Sequence, residues 1–255
     1  NRWQNLLPRY SSDFCEGNIN SEDSCWDIGN WSPIDRIFIN YSNDITNASN
    51  SSWFSFSINS TQDFVWVAAN VPYTVTRRDR FIESIANSSY VTLNNATYSP
   101  NGIPLTVATI TDPAYDDAAK TRVYLIGQQH ANEETQGSWV IEGAIRFLLN
   151  DSNENATMLK SRYIYKFVPI VNVDGTAAGV GRFTPVYFNG TNYLQYDPNR
   201  EWLKARSNNS NNPAYILISD LYSDIGNFSP NASFDFHGSL NGERGFGIPP
   251  GVNYF

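Results

Sequence analysis

The first 113 residues carry their hydrophobic positions in short segments that alternate with polar positions. Clusters of Asn, Ser, Thr and Pro separate these segments. A period of two is typical of half-buried strands, and such clusters are typical of turns. We therefore predict a small β-sandwich domain over residues 26–113. Its predicted strands are Arg36–Tyr41, Trp53–Ile58, Phe64–Ala69, Tyr90–Leu93 and Leu105–Ile110.

One segment of this region has helical spacing instead. Over Thr76–Ala86, charged residues occupy one side, and Phe81, Ile82 and Ile85 occupy the other. This spacing predicts an amphipathic helix within the otherwise strand-rich region.

After the polar segment Asp112–Lys120 the pattern changes to longer apolar strands followed by helices. Continuous apolar runs are expected for central strands that are covered on both faces, so we predict an α/β domain over residues 114–255. The predicted strands are Val123–Gly127, Ile164–Val173 and Phe234–His237, and the predicted helices are Glu134–Leu149 and Pro213–Ile225. The apolar face predicted for the first helix contains Trp139, Val140, Ala144, Phe147 and Leu148.

The chain has only two cysteines, Cys15 and Cys25, in a polar N-terminal segment that we assign to residues 1–25. Their separation of ten positions suits a local disulfide in an oxidising compartment. A metal or redox pair is the alternative, but the segment has neither CxxC spacing nor a nearby histidine.

Composition and sequons favour a secreted glycoprotein. The net charge is −8, and no run of basic residues is present, which argues against nucleic acid and anionic membrane as partners. No apolar stretch reaches the about 20 residues of a membrane span, and the chain starts at Asn1, as a processed secretory protein would. Thirteen Asn-x-Ser/Thr sequons predict glycosylation at Asn30, Asn40, Asn47, Asn50, Asn59, Asn87, Asn95, Asn150, Asn155, Asn189, Asn208, Asn227 and Asn231.

The two histidines of the chain both follow predicted strands. His130 comes shortly after the strand that ends at Gly127, with Glu133 three residues further on, and His237 closes a later strand. Strand ends of an α/β sheet form ligand crevices, and two imidazoles with one carboxylate make a catalytic zinc site. Taken alone, each histidine could be a hydrogen-bonded core residue, and HxxE arises often by chance.

Further motifs lie between the two histidines. They are Val171-Asn172-Val173-Asp174-Gly175, Gly181-Arg182 and Tyr196-Asp197-Pro198-Asn199-Arg200-Glu201-Trp202. In this order the motifs resemble the zinc metallocarboxypeptidases. Val71-Pro72-Tyr73-Thr74, before an Arg-rich helix, is similar to the cytosolic carboxypeptidase-like branch, in which a β-sandwich domain precedes the catalytic domain.

The resemblance implies a carboxypeptidase-like α/β fold with a mixed sheet, flanking helices and one zinc ion. It implies that His130, Glu133 and His237 bind the metal and that Asp197 orients His130. Arg182 would stabilise the developing oxyanion, and Asn199 with Arg200 would bind the terminal carboxylate of a peptide or protein substrate. Without the motif context, Asp197 reads as a turn carboxylate and the arginines as surface ion-pair partners.

The family's general-base glutamate has no counterpart after His237, where Glu243 in a Gly-rich loop is the one carboxylate. We expect a complementary C-terminal chain that carries this glutamate, because an open sheet would expose an apolar face. A C-terminal part missing from this sequence and a loss of catalysis are the alternatives. The predicted function is a secreted zinc carboxypeptidase. The alternatives are a zinc deacylase or esterase of the same fold and a catalytically incomplete glycoprotein that binds peptides or glycans.

Overall fold

A computed structural model describes residues 9–11, 32–33, 39–43, 52–59, 65–68, 70–132, 134–188, 192–203 and 213–237. The described residues fall into two compact units, one up to residue 72 and one from Tyr73 to His237. Cys15, Cys25, Glu133 and Glu243 lie outside the described residues.

The described part of the first unit consists of short antiparallel strands. They are β1 (Arg9–Ser11), β2 (Ser32–Pro33), β3 (Ile39–Asn43), β4 (Ser52–Phe56) and β5 (Trp66–Ala68). β1 pairs with both β2 and β5, while β3 pairs with β4. β3, β4 and β5 overlap predicted strands, whereas β1 and β2 lie where none was predicted. The packing of these strands into a sandwich stays a prediction.

The second unit is built on a five-stranded mixed sheet with the order β12-β8-β9-β7-β6. Its strands are β6 (Val91–Tyr98), β7 (Pro104–Ile110), β8 (Thr121–Gly127), β9 (Tyr163–Val168) and β12 (Ala232–Phe236). β12, β8 and β9 are parallel, whereas β7 is antiparallel to β9 and β6 to β7. A separate hairpin joins β10 (Thr184–Phe188) to β11 (Asn192–Tyr196).

Helices flank this sheet, as the second-domain pattern predicted. They are α1 (Val75–Ile85), α2 (Thr135–Leu148), α3 (Glu154–Arg162), α4 (Val173–Ala177) and α5 (Pro213–Phe228). Thr74 caps α1 by accepting a hydrogen bond from the Arg77 backbone N–H (3.1 Å), which explains why the helix begins there. Among the described residues, no helix has the length and apolar character that a membrane span needs.

The boundary between the units differs from the predicted one at residues 113 and 114. β6 and β7, which we assigned to the sandwich domain over residues 26–113, belong to the sheet of the second unit. The physical reason is the pairing of Ala108, Thr109 and Ile110 on β7 with Phe167, Lys166 and Tyr165 on β9. This pairing joins segments more than 50 residues apart, which local alternation does not reveal.

Two hydrophobic clusters contain residues from alternate positions of the sheet strands. On β8, Tyr124 and Ile126 belong to a cluster with α5, while Val123 and Leu125 belong to a cluster with α1 and α2. Successive side chains of a strand point to opposite faces, so β8 is covered on both sides. This packing explains the continuous apolar run in its sequence.

The buried face of α2 differs from the predicted face. Leu148 is buried as predicted, but it is joined by Ile141 and Ile145, whereas Val140 and Phe147 of the predicted face are exposed. The buried face also contains Ser138, which donates a hydrogen bond to Gln128 Oε1 (2.7 Å). The predicted face of α2 is therefore rotated about the helix axis relative to the buried face, because the prediction counted only apolar residues.

The predicted strand Ile164–Val173 is too long at its C-terminal end. β9 ends at Val168, and α4 begins at Val173. Asn172 caps α4 by accepting a hydrogen bond from the Gly175 backbone N–H (3.0 Å). The apolar residues beyond Val168 are buried in the loop and the short helix that follow the strand.

Substitution of Gly137 tests how closely α2 approaches β12. A Cβ atom at Gly137 would lie 2.2 Å from the Phe236 backbone oxygen, whereas one at Gly143 on the same helix would meet nothing within 4 Å. We expect Gly137→Ala to lower the free energy of unfolding by about 1–3 kcal/mol through overpacking. Gly143→Ala should raise it by about 1 kcal/mol through helix propensity. Thermal unfolding of both variants measures the difference, and equal effects would contradict the close approach.

Candidate metal centre

The carboxyl ends of β8 and β12 bring the two histidines together. Gly127 and Phe236, the last residues of these strands, are partners in a parallel register. His130 follows Gly127 by three residues and His237 follows Phe236 directly. Their imidazole rings lie 4.6 Å apart between centroids, so residues 107 positions apart meet at one edge of the sheet.

Glu134 is the third member of this cluster. Its Oε1 lies 2.5 Å from His130 Nδ1 and 2.8 Å from His237 Nε2, and its Oε2 accepts a hydrogen bond from the His130 backbone N–H (3.0 Å). Glu134 is 2% exposed. Because Glu133 lies outside the described residues, its predicted role as a metal ligand stays a prediction, and Glu134 is a candidate that the HxxE spacing missed.

Asp197 contacts both His130 and Arg182, as expected for its predicted role. Its Oδ1 lies 3.0 Å from His130 Nε2, and its Oδ2 accepts hydrogen bonds from Arg182 Nε (3.1 Å) and Nη2 (2.8 Å). Asp197 also accepts a hydrogen bond from the Asn199 backbone N–H (3.0 Å), which caps the 3-10 turn Pro198–Arg200. The carboxylate therefore has neighbours on several sides and a fixed orientation.

Three residues near His130 have left-handed backbone conformations. Gln128 (φ 47°), Asn132 (φ 55°) and Arg182 (φ 69°) are non-glycine residues in this sparsely populated region. Ala131 and Arg182 exchange two backbone hydrogen bonds (2.7 and 3.3 Å), which tie the two loops to each other. Strain of this kind persists only where surrounding contacts hold it, and it is typical of functional sites.

The side chain of Asn172 forms hydrogen bonds with Arg182 and with Thr184, which follows it. Its Nδ2 donates to the Arg182 backbone oxygen (3.2 Å), and its Oδ1 accepts from Thr184 Oγ1 (2.9 Å). Asn172 is fully buried. The Asn-x-Asp-Gly motif thus positions the arginine loop through an asparagine that sequence reasoning singled out without a role.

The predicted carboxylate-binding pair lies on the turn after Asp197. Asn199 Nδ2 lies 3.4 Å from His237 Nε2, which places this amide beside the metal cluster. Arg200 is exposed, and its Nη1 donates to the Asn199 backbone oxygen (3.4 Å). The structure therefore brings Asn199 to the cluster and leaves the Arg200 guanidinium facing solvent.

The electrostatics of the cluster favour positive charge. Burial alone would raise the pKa of Glu134, but hydrogen bonds with His130 and His237 hold it below its usual range. The pKa of Asp197 is likewise lowered by His130 and Arg182 against the effect of burial. Burial would lower the pKa of His237, but Asp235 and Glu134 raise it to about 10. The carboxylates that stabilise a proton on this imidazole also attract a divalent cation.

The donor set fits zinc. Ligand atoms of His130, Glu134 and His237 lie within 4.8 Å of one another. Two imidazole nitrogens and one carboxylate are a set found at catalytic zinc sites, where the remaining position is open to water or substrate. The flanking carboxylates of Asp197 and Asp235 contact the two histidines, as outer partners of metal-binding histidines commonly do.

Sequence comparison identifies a protein family for most of the second unit. The family model described as zinc carboxypeptidase matches residues 78–246. Human cytosolic carboxypeptidase 2 is 33% identical over 125 residues, which cover 46% of this chain and 14% of the relative. Human cytosolic carboxypeptidase 6 is 29% identical over 154 residues, which cover 59% of this chain and 29% of the relative. The chain thus spans less than a third of these curated relatives.

Solved metallocarboxypeptidases share the fold. A metallocarboxypeptidase from Burkholderia cenocepacia superposes with a TM-score of 0.68 at 21% identity, covering 94% of this chain and 54% of that one. A metallocarboxypeptidase from Pseudomonas aeruginosa superposes with a TM-score of 0.67 at 18% identity, covering 94% and 53%. At this identity the likeness shows the fold, which agrees with the predicted mixed sheet and flanking helices.

Paired variants of the two adjacent glutamates identify the metal carboxylate. Loss of an outer partner of a metal ligand weakens metal binding by about 10- to 100-fold. We expect Glu134→Gln to weaken zinc binding by more than this, because it removes a charged ligand. Glu133→Gln is the paired variant, because the HxxE spacing predicts Glu133 as the ligand, and it should have the smaller effect if Glu134 binds the metal. Chelator competition with each purified variant measures both affinities. The reverse pattern would show that the HxxE spacing gives the ligand and would contradict the placement of Glu134.

Proposed function

The chain belongs to the zinc carboxypeptidase family, and from this premise we propose that it forms the metal-binding part of a secreted zinc carboxypeptidase. The observation that carries the proposal is the cluster of His130, Glu134 and His237, with Asp197 linking it to Arg182. The proposed reaction is hydrolysis of the C-terminal peptide bond of peptides or proteins.

The proposed mechanism divides the work among the residues of this site. Zinc bound there would act as a Lewis acid on the scissile carbonyl and lower the pKa of water. Arg182 would stabilise the oxyanion, because its guanidinium is already oriented by two hydrogen bonds to Asp197 and needs little reorganisation. The side chain of Arg182 is 30% exposed, so a substrate oxygen could reach it.

Substrate binding would rest on the turn Pro198–Arg200. The exposed Arg200 could accept a carboxylate in a bidentate geometry, and Asn199 could add an amide donor beside the metal cluster. This pair supports a peptidase rather than a deacylase or esterase, because only a substrate with a free C-terminal carboxylate needs such a clamp.

The proton-transfer residue of the proposed reaction is not assigned to any described side chain. A general base has to accept the proton of the attacking water and return it to the leaving amine. We predicted that a glutamate on a complementary C-terminal chain supplies this group. The comparisons give no support for a separate chain, so this partner stays a prediction.

We also propose that the protein follows the secretory pathway and carries N-linked glycans. Seven predicted sequon asparagines have described side chains, and all seven are exposed: Asn59, Asn87, Asn95, Asn150, Asn155, Asn227 and Asn231. Exposure is necessary for a bulky glycan, so these positions are compatible with modification. The disulfide between Cys15 and Cys25 belongs to the same proposal, because it requires an oxidising compartment.

The carboxylate clamp is tested with a peptide and its C-terminally amidated form. We expect the zinc-loaded protein to bind the free acid about 10- to 100-fold more tightly, because the clamp forms charge-assisted hydrogen bonds with it. Arg200→Gln should weaken binding of the free acid and leave the amidated form unchanged. Calorimetry measures the affinities without requiring turnover, and released terminal residues report hydrolysis.

The outcomes of this experiment separate the candidate functions. Equal affinity for both peptides would contradict the clamp, and cleavage of the amidated peptide at the same rate would favour a deacylase. Binding of the free acid without hydrolysis by the zinc-loaded protein would favour the binding module. Arg122→Gln is a matched control, since Arg122 contacts Phe228 at the opposite end of β8.

Secretion is tested by glycan mapping of protein isolated from its source cells. Enzymatic release of N-glycans in oxygen-18 water converts each occupied asparagine into aspartate that carries the heavy oxygen isotope. We expect labels at exposed sequons such as Asn87 and Asn150, and none at Asn94, which is exposed but lies outside a sequon. A protein without labels at any sequon would contradict the secretory proposal, while leaving the metal centre unaffected.

A further inference from the structure

Most described sequons of the second unit lie at one edge of its five-stranded sheet. β6, β8, β9 and β12 run in the same direction and begin at this edge, which is opposite to the metal centre, and β7 ends there. We call it the strand-start edge. The segments that precede β6, β9 and β12 carry its sequon asparagines, which are Asn87, Asn150, Asn155, Asn227 and Asn231. The other described sequon of this unit, at Asn95, lies within β6.

Hydrogen bonds join these segments to the loop between β7 and β8. The Thr111 backbone N–H donates to the Tyr90 backbone oxygen (3.1 Å), and the Asp112 backbone N–H donates to a backbone oxygen of α3 (3.1 Å). Asn231 exchanges two hydrogen bonds with the Arg122 backbone, through its own backbone N–H (2.8 Å) and its Oδ1 (2.9 Å). The loop between β7 and β8 therefore lies among the segments that carry the sequons.

The side-chain amide nitrogen distinguishes these five asparagines from the asparagines at the metal edge, where His130 and His237 lie. Among the described residues, Nδ2 of the five, the atom to which a glycan is attached, has no hydrogen-bond partner. At the metal edge, Asn132 Nδ2 (2.8 Å) and Asn172 Nδ2 (3.2 Å) donate to backbone oxygens. Sequons are absent from the described asparagines of the metal edge, which are Asn101, Asn132, Asn172 and Asn199.

The loop between β7 and β8 is exposed at the strand-start edge. Residues 113–119 are all exposed, and Tyr115 is 54% exposed. Lys120 Nζ holds this loop by donating to the Asp112 backbone oxygen (2.6 Å) and to Asp117 Oδ1 (2.8 Å). Exposed loops with small and polar residues are preferred sites of proteolytic cleavage. A secreted protein with this loop uncovered would present it to extracellular endopeptidases.

We propose that N-linked glycans on the five asparagines form a cover over the strand-start edge, and that this cover excludes endopeptidases and other protein-sized molecules from residues 113–119. Glycans are bulky and hydrophilic, and they would surround the loop on the segments that contact it. Because this edge is opposite to the metal centre, the cover does not obstruct the proposed substrate site. The inference rests on the proposed secretion and adds a location and a role for the glycans.

Occupancy of each sequon is the first test. Glycan release in oxygen-18 water should label all five asparagines of the strand-start edge. Glycans confined to other sequons would overturn this inference and leave the secretory proposal standing. Absence of label from every sequon would refute the secretory proposal and this inference with it.

Proteolysis before and after glycan removal tests the cover itself. We expect chymotrypsin to cleave the glycosylated protein after Tyr115 several-fold more slowly than the deglycosylated protein, as measured by mass spectrometry of the products. Nitration of Tyr115 by tetranitromethane is the size control, because this small reagent passes between glycans, and its rate should stay the same. Equal cleavage rates would overturn the proposal. A parallel rise in nitration would also overturn it, because it would show that the loop itself had changed.

Sequon variants reduce the cover without enzymatic treatment. Ser89→Ala and Thr157→Ala remove the sequons of Asn87 and Asn155, and both replace exposed hydroxyl side chains. We expect the double variant from a glycosylating host to be cleaved faster in residues 113–119, with unchanged zinc affinity as evidence of an intact fold. Ser223→Ala, at an exposed position outside every sequon, is the matched control and should change neither. A double variant that lacks both glycans but is cleaved at the wild-type rate would overturn the proposal.

Discussion

The whole site depends on the parallel register between β8 and β12. Phe236 pairs with Gly127, so both strands end at the same level of the sheet and the loops after them start side by side. This register is why two histidines distant in sequence come within contact. Gly137 on α2 packs against the backbone of Phe236, the last residue of β12. The helix that begins directly after Glu134 therefore also holds the end of β12 in position. A shift of one residue in this register would separate the imidazoles and turn alternate side chains to the other face.

A single carboxylate, that of Asp197, connects metal binding to the arginine of the site. One oxygen of Asp197 contacts His130 and the other contacts Arg182. A movement of either side chain would therefore disturb the carboxylate that holds the other. The backbone ladder between Ala131 and Arg182 makes the same connection through the main chain. Left-handed conformations at Gln128 and Arg182 are the local cost of this arrangement, and it is offset by several hydrogen bonds across the loops.

Short motifs at strand ends allowed much of the site to be predicted from the sequence. His130 and His237 were singled out because each follows a predicted strand, and Asp197 and Arg182 because their motifs resemble those of the zinc metallocarboxypeptidases. The structure brings all four together. The start of the second unit's strand–helix pattern was visible because β8 is apolar from Val123 onward. Such a pattern depends only on residues close together in the sequence, so it can be recognised without knowing the fold.

What the sequence could not show depends on backbone geometry and on distant partners. Spacing favoured Glu133, which lies outside the described residues, whereas Glu134 was not singled out and contacts both imidazoles in the structure. Ser138 was not included in the predicted buried face of α2, because its partner Gln128 lies on the loop after β8. Polar residues are buried when a partner from elsewhere in the fold satisfies them. Such partnerships concentrate where loops from several strands converge, which is also where catalytic residues lie, so a functional site is the part of a fold that periodicity describes least well.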